Sequence, residues 1–339
     1  MFAPQLMQKY LPALDETMRR IVSTLPDSTP GFGVMARYAL GWSDKNDNPY
    51  HQPTGKRIRP ALLLLCAEAA GGDWKKALPA AAAVELLHNF SLIHDDIQDN
   101  SPTRHGRPTV WKVWGQANAI NAGDALFTLA YCALESLSEV GVPSDTLVQI
   151  WRIFNSTALE LTRGQHLDMR FEQQAQVSVD EYISMIQGKS AALIAACAQM
   201  GALIGSGEVA LAERYAEFGL NLGIAFQIRD DILGIWGDPS VTGKSAATDI
   251  ISRKKSLPVL YGLSKSTQLR DIYARDPFSE ADVLEAVHTL DSIGSNDYTQ
   301  TRESHYYQLA LDALESANPT GTAADGLMEL VHNLFGRSY

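Results

Sequence analysis

Cysteine is scarce in this sequence. Of 339 residues only Cys66, Cys132 and Cys197 are cysteines; they stand far apart in apolar, Ala-rich surroundings, and no CxxC pair exists. That excludes a disulfide framework and a structural zinc site, and points to core thiols in a reducing, cytoplasmic setting. Positive charge is also short. Lys and Arg number 28 against 39 Asp and Glu, a net charge of -11, which disfavours bulk binding to nucleic acid. An anionic substrate must then be held by a local basic cluster or by metal ions. No HExxH or GxSxG is present, so zinc hydrolysis and serine acyl transfer lack their parts. The opening residues, MFAPQLMQKYLPALDETMRR, lack a basic start followed by an apolar run and do not read as a signal peptide. No transmembrane segment is expected. The apolar stretch Ser190 to Gly207 barely reaches spanning length and contains Gln199, so it reads as a buried core helix.

Strand signals are nearly missing too, with no sustained period-2 alternation and no Asn-Gly hairpin between such runs. What is present is helix. Ala- and Leu-rich runs with helical spacing cover Pro60 to Ala70, Leu78 to Ile97, Asn118 to Leu137, Ser144 to Phe171, Val179 to Ile204, Glu208 to Ile235, Leu257 to Leu263 and Ser304 to Glu315. Several are apolar on most faces, as in the middle of a large bundle. Pro and Gly cluster between them, and no Ser/Gly linker divides the chain. The expectation is one all-α domain over residues 1–339.

Chemistry concentrates in Glu85 to Trp111, ELLHNFSLIHDDIQDNSPTRHGRPTVW. Asp95, Asp96 and Asp99 form a DDxxD pattern closing an apolar helix, with Asp95 and Asp99 one turn apart on one face. Acids at a helix C-terminus oppose the macrodipole, a cost that divalent cations remove. All-oxygen donors suit Mg²⁺, which binds through one or two carboxylates plus substrate phosphates. Taken alone, the motif also fits a solvated acidic turn. A second pair, Asp230 and Asp231, closes another apolar helix about 135 residues later, with Gln227 one turn earlier. Two such pairs are expected to face each other at a bundle mouth, above an apolar shaft. The basic set comprises Lys56, Arg57 and Arg59 in TGKRIRP, Arg104, His105 and Arg107 after the first acids, and Lys189, Lys244, Lys254 and Lys255. Gly237 to Ser245, GDPSVTGKS, has one residue too many for a P-loop and follows a helix, so no P-loop cradle is expected.

Together TGKRIRP, LLHNFSLIHDDIQD, RHGRPTVW, NAGDALF, RGQHLDM, YISMIQGKSAALI, FQIRDDILG and KKSLP resemble the trans-isoprenyl diphosphate synthases, or polyprenyl synthetases, over about residues 54 to 260. The resemblance implies an all-α fold of antiparallel helices around a central apolar cavity, usually a homodimer. It implies head-to-tail condensation of isopentenyl diphosphate with an allylic diphosphate. Carried over by position, Asp95 and Asp99 hold two Mg²⁺ ions and Asp230 a third, with Asp231 in its outer shell; Mn²⁺ is expected to substitute. Arg104, Lys189, Gln227 and Lys244 contact the allylic diphosphate, and Lys56, Arg59 and His88 hold the isopentenyl diphosphate. Ser190 stands where the family often has Thr, and Lys254 joins the substrate-binding set. His88 lies two turns before Asp95 on the same face, which favours a site role; a core histidine is the other reading. Gln165 and Asp168 fit either supports of the site or a helix-end polar pair.

Three departures stand out. Gly234 replaces the third Asp of the second motif. His105 replaces a common Arg, which implies weaker or more pH-sensitive binding of isopentenyl diphosphate, because a histidine changes charge near neutrality. Thr54 replaces the first Gly of GGKR. For product length, Ser91 points along the Asp95 face but is small, while Phe90 lies about 100° off it. An aromatic at this fifth position before DDxxD resembles the geranylgeranyl (C20) pattern, with farnesyl (C15) its close rival; Leu87 adds to the floor, and plain core packing is the other role for Phe90. A class I terpene cyclase would not need the TGKRIRP and His88 site, and a non-catalytic subunit would lose site residues that this chain keeps.

Overall fold

The computed structural model describes residues 4–26, 31–50, 55, 57–174, 176–237 and 247–335. Lys56, Lys244, Thr54 and nearly all of the GDPSVTGKS stretch fall outside them. The helices are α1 (Pro4–Val22), α2 (Phe32–Ala39), α3 (Ile58–Ala69), α4 (Leu78–Gln98), α5 (Val110–Trp114), α6 (Gln116–Glu135), α7 (Ser144–Gln173), α8 (Val179–Ile186), α9 (Ala192–Ser206), α10 (Val209–Trp236), α11 (Thr248–Ile251), α12 (Leu257–Lys265), α13 (Thr267–Tyr273), α14 (Glu280–Ser292), α15 (Ser295–Ser316) and α16 (Gly321–Phe335). The fold is all-α, and among the described residues its one sheet is a two-stranded hairpin, β1 (Thr103–Arg104) with β2 (Arg107–Pro108).

Two compact units share the chain. The first comprises Met1–Asn155, Cys197–Glu213 and Pro319–Leu327. Its centre is α4, packed chiefly on α6 and also on α3. Ala80 to Ala83 are fully buried, as are Leu86 and Leu87, Leu62 to Leu64 of α3, and Leu126, Ala130 and Ala133 of α6. Alanine on facing helices lets backbones approach closely while keeping high helix propensity. Pro79 in the first turn of α4 costs nothing, because its missing N–H would have no intrahelical partner there. The last two turns of α4 leave this packing, so Asp95 is half-buried and Asp99 exposed.

The second unit comprises Ser156–Ala196, Arg214–Asn318 and Met328–Tyr339. Along α10, Ile224, Ile228 and Ile232 recur every fourth residue and pack with Phe171, Tyr182, Ile186, Leu257 and Leu260. The end of that helix, Ile235, joins a neighbouring cluster with Ile250, Val259, Leu269, Ile272 and Leu290. A capping box between Ser178 and Glu181 starts α8, and another between Ser279 and Asp282 starts α14.

The stretch flagged as barely long enough for a membrane overlaps Val179–Ser206, and 61% of an apolar 18-residue window of that segment is buried by protein. Its helix is not uniform: Gln187–Ala191 forms a π turn between α8 and α9. One cause is a close helix contact. A Cβ on Gly164 of α7 would sit 2.1 Å from the Lys189 backbone N, and one on Gly188 would sit 2.6 Å from the Glu160 carbonyl oxygen. Glycine at both positions lets α7 touch the turn, and π turns recur at functional positions.

Candidate active site

One group of candidate residues grows from the end of α4 and the start of α3, in the first unit. Ile58 opens α3 after Arg57, which is held at φ 49°. That left-handed residue sends two adjacent cations in different directions. Arg57 goes inward to Asp15 at 3.0 Å and the buried Glu85 at 3.6 Å, so it braces the structure. Arg59 goes to His88, with Nη1 3.3 Å from Nε2. A guanidinium can only donate, so Nε2 accepts and His88 is neutral. Burial, then the positive charges of Arg59, Arg104 and His105, hold its pKa well below the usual histidine value. The Arg59 Nε is buried and meets no acceptor among the described residues.

That lowered pKa has a sign. The unfolded chain binds a proton near pH 6.5 that folded His88 refuses, so His88 costs stability as pH falls through that value. The gap in unfolding free energy between wild type and His88→Gln is therefore expected to shift against the wild type below pH 6.5, by at most about 1.4 kcal/mol per pH unit. Urea denaturation at pH 7.5, 6.5 and 5.5 measures it. A constant gap would mean that His88 takes up its proton equally in both states.

The loop after DDxxD, expected without strands, is the hairpin β1–β2. It pairs Arg104 with Arg107 in an antiparallel register. The two-residue turn needs positive φ at both central positions, and His105 (50°) and Gly106 (75°) provide it. Arg107 stacks on the rings of Tyr38 (4.0 Å) and Tyr50 (4.5 Å) and donates to the Ser43 carbonyl at 3.0 Å. On the other strand Arg104 donates through Nε and Nη2 to one oxygen of the buried Asp96, at 2.9 and 2.8 Å. The middle acid of the motif thus differs in work from its neighbours: it anchors Arg104. Burial raises the Asp96 pKa even though Arg104 opposes this.

These groups surround a cleft of about 150 Å³, lined among others by Arg59, His88, Asp96, Arg104, His105 and Arg107. Arg107, Tyr38 and Asn89 of its wall carried no site role in the sequence reading; an Arg two residues after His105 in a basic loop was the available signal for the first. Phe90 does not line this cleft. Its ring meets His94 (4.6 Å) and Phe127 (4.9 Å), and the row continues through Tyr131 to Phe154. Phe90 therefore shares a face with His94, as the helical wheel requires. Leu87 is fully buried, and Ser91 turns its hydroxyl back to the His88 carbonyl at 2.8 Å.

A second group of candidate residues lies in the other unit. Lys189, on the π turn, is bonded to Asp168 of α7, which makes Asp168 a support of that lysine. Ser190 donates to Gln227 Oε1 at 2.6 Å, and Gln227 Nε2 donates to Asp231 at 3.3 Å. Asp231 is fully buried. It accepts from the Tyr182 hydroxyl, the Leu257 N–H (3.0 Å), Gln227 and Lys254 (3.4 Å). Four donors fill its lone pairs, so it organises its surroundings and has no oxygen left to coordinate an ion directly. Asp230, one residue earlier, points to solvent. Burial alone would lower the Lys254 pKa, but Asp231, Asp249, Asp230 and Asp168 together push it above the usual lysine value.

Asp95, Asp99 and Asp230 offer oxygen only and reach solvent, which fits Mg²⁺ arriving with its own waters and a substrate diphosphate. Among the described residues no protein-only metal cage exists, and such an ion does not need one.

Comparison with known proteins gives the family. The polyprenyl synthetase family model matches residues 44–290. The (2E,6E)-farnesyl diphosphate synthase of Mycobacterium tuberculosis is 35% identical over 98% of this chain and 95% of its own length. The geranylgeranyl diphosphate synthase of the same organism is 40% identical over 84% of this chain and 81% of its own. A crystal structure of a polyprenyl synthetase from Streptomyces coelicolor superposes with a TM-score of 0.89 at 34% identity, covering 97% of this chain and 98% of that one. The chain belongs to the polyprenyl synthetase family of prenyltransferases.

Proposed function

We propose that this enzyme condenses isopentenyl diphosphate head to tail with an allylic diphosphate and releases geranylgeranyl diphosphate (C20), with farnesyl diphosphate (C15) the competing product. What carries this is the cleft of the first unit. Arg59 and His88 form one diphosphate site of the cleft, beside Arg104, tied to Asp96, and the Asp95–Asp99 pair, which serve the other. A terpene cyclase has one diphosphate to hold and no need of both.

Asp95 and Asp99 are proposed to hold two Mg²⁺ ions and Asp230 a third, with Mn²⁺ able to replace them. When bound, the metal neutralises the departing diphosphate. Lys189, Gln227, Arg104 and Lys244 hold that leaving group, with Ser190 and Lys254 bracing them. Lys56, Arg59, His88 and His105 fix the isopentenyl diphosphate so that its double bond faces the allylic carbon. The allylic C–O bond breaks, the new C–C bond forms, and one proton leaves to the released pyrophosphate. No protein nucleophile is needed, and apolar walls keep water from the cation. We further propose a cytoplasmic homodimer, in which a second copy covers exposed apolar side chains such as Ile120 and Trp151.

Product chromatography tests the reaction. Labelled isopentenyl diphosphate is supplied with Mg²⁺ and, separately, dimethylallyl, geranyl or farnesyl diphosphate. The expected product is C20. Arrest at C15 would keep the reaction and overturn the product, and no product from any starter would overturn both.

Product length is the point on which the relatives divide, and Phe90 is the residue proposed to set it, braced by Phe127 and His94. Phe90→Ala is expected to move the main product beyond C20. An unchanged product would remove Phe90 from the floor.

A further inference from the structure

Four arginines line the cleft of the first unit: Arg57, Arg59, Arg104 and Arg107. Two have their charge matched inside the protein, Arg57 by Asp15 and Glu85 and Arg104 by Asp96. Arg59 faces neutral His88. Arg107 forms no ion pair among the described residues, where its polar contact is Nη2 donating to the Ser43 carbonyl at 3.0 Å. Asp44, which feels its charge, has both oxygens taken up by Asn46 and Asn48. Arg107 is nonetheless held in place. Its guanidinium carbon lies 4.0 Å from the centre of the Tyr38 ring and 4.5 Å from that of Tyr50. Tyr38 is fixed in turn, its hydroxyl donating to the Pro108 carbonyl at 2.7 Å and its ring meeting Trp114 edge-on at 5.0 Å. Stacked rings restrain a guanidinium through its faces and leave its edge, which carries the N–H donors, open to an acceptor.

The hairpin aims this charge. Arg104 and Arg107 are directly opposed across β1 and β2, so their side chains leave the same face of the ribbon. His105 stands in the turn between them, at φ 50°, and offers an imidazole whose charge is not constant near neutrality. A diphosphate brings more than one negative charge. Among the described residues of the cleft, Arg107 is the permanent cation besides Arg59 that no carboxylate pairs.

We propose that Arg107 binds the diphosphate of isopentenyl diphosphate together with Arg59, and so carries the charge that a histidine at 105 does not guarantee. Because the stack sets the side chain beforehand, little of its freedom is lost when the ligand arrives. This inference rests on the prenyl transfer proposed above.

The test is steady-state kinetics of the full-length enzyme, with KM for isopentenyl diphosphate and KM for the allylic diphosphate measured separately at saturating Mg²⁺. Arg107→Gln removes the charge and keeps a polar side chain. It is expected to raise KM for isopentenyl diphosphate by about 10- to 100-fold, the range for a lost hydrogen bond to a charged group. The kcat and the KM for the allylic diphosphate are expected to stay within about threefold of wild type, as when uniform binding of one substrate is lost. The double variant His105→Arg/Arg107→Gln returns a permanent cation to the other side of the turn and is expected to recover most of the lost KM. An unchanged KM in Arg107→Gln would overturn the inference. So would a joint rise in both KM values, or a rise that the double variant does not recover, since either would leave Arg107 as a brace between the hairpin and Ser43. If Arg107→Gln loses its helical circular dichroism, the double variant decides: folded with a KM near wild type supports the inference, and folded with a raised KM overturns it. A wild-type protein that turns over no allylic starter would overturn the prenyl transfer itself, a failure seen before any variant is compared.

Discussion

Asp95→Asn is expected to lower kcat by about 10³-fold while leaving the protein as stable as before or slightly more so. The rate effect follows from charge. A diphosphate leaves an allylic carbon only when its developing negative charge is neutralised, and groups aimed at such charge are worth about 10²- to 10³-fold each. Asparagine keeps an oxygen but not the anion that recruits the metal. The stability effect has the opposite sign because Asp95 sits in the last turn of α4, where the helix already presents partial negative charge. Asp99 caps the same helix, and its N–H donates to the Asp95 carbonyl, not to the side chain. Removing an acid there relieves about 0.3–1 kcal/mol. Steady-state rates at saturating substrates and raised Mg²⁺, with thermal denaturation of the metal-free protein, measure both effects. A kcat within tenfold of wild type would take Asp95 out of the metal site.

Asp230 and Asp231 are neighbours of the same residue type, and their replacement by Ala is expected to fail in different ways. Asp231→Ala should cost about 3–5 kcal/mol of stability, the range for removing one partner of a buried ion pair. It strands the Tyr182 hydroxyl and the Leu257 N–H without an acceptor and leaves Lys254 with Asp249 alone of its two ion-pair partners. Asp230→Ala, at an exposed position, should change stability by no more than about 0.5 kcal/mol. Its loss appears in turnover, by about 10²- to 10³-fold, if it holds the third ion. Chemical denaturation and kcat on the two variants give a crossed pattern. Equal losses of stability in both would refute this division of labour.

Pattern alone made much of this legible. Glu208 to Ile235 reads as a helix because its apolar residues recur at helical spacing, and α10 spans Val209–Trp236. Several helices carry no mark in the sequence reading: α1, α2, α5, α11, α13, α14 and α16, and the first nine residues of α15. For α1 the signal is present, since Tyr10, Leu14, Met18 and Ile21 are buried at spacings of four, four and three. For α15 it is faint, because Asn296, Asp297, Thr299 and Gln300 at its start are polar, and the contacts that hold it reach distant residues such as Pro258, Tyr261 and Arg229. The hairpin β1–β2 escapes any strand pattern because two-residue strands are too short to alternate.

By itself the sequence determined the fold class, the family, and which residue types stand at the ends of two apolar helices, because periodicity and motif order are properties of the chain. Spacing and resemblance set Asp95 and Asp230 apart from their neighbours, but not what Asp96 or Asp231 touches, since that depends on what surrounds them. Tertiary structure decided that Asp96 anchors Arg104 and that Asp231 closes a buried network of four donors. It also decided that Arg57 braces the core while Arg59 reaches His88: Arg57 is itself left-handed, just before α3 begins. The same holds for Gly234. In sequence it is a missing acid; in three dimensions it is the place on α10 that the Asp249 carboxylate of another helix approaches.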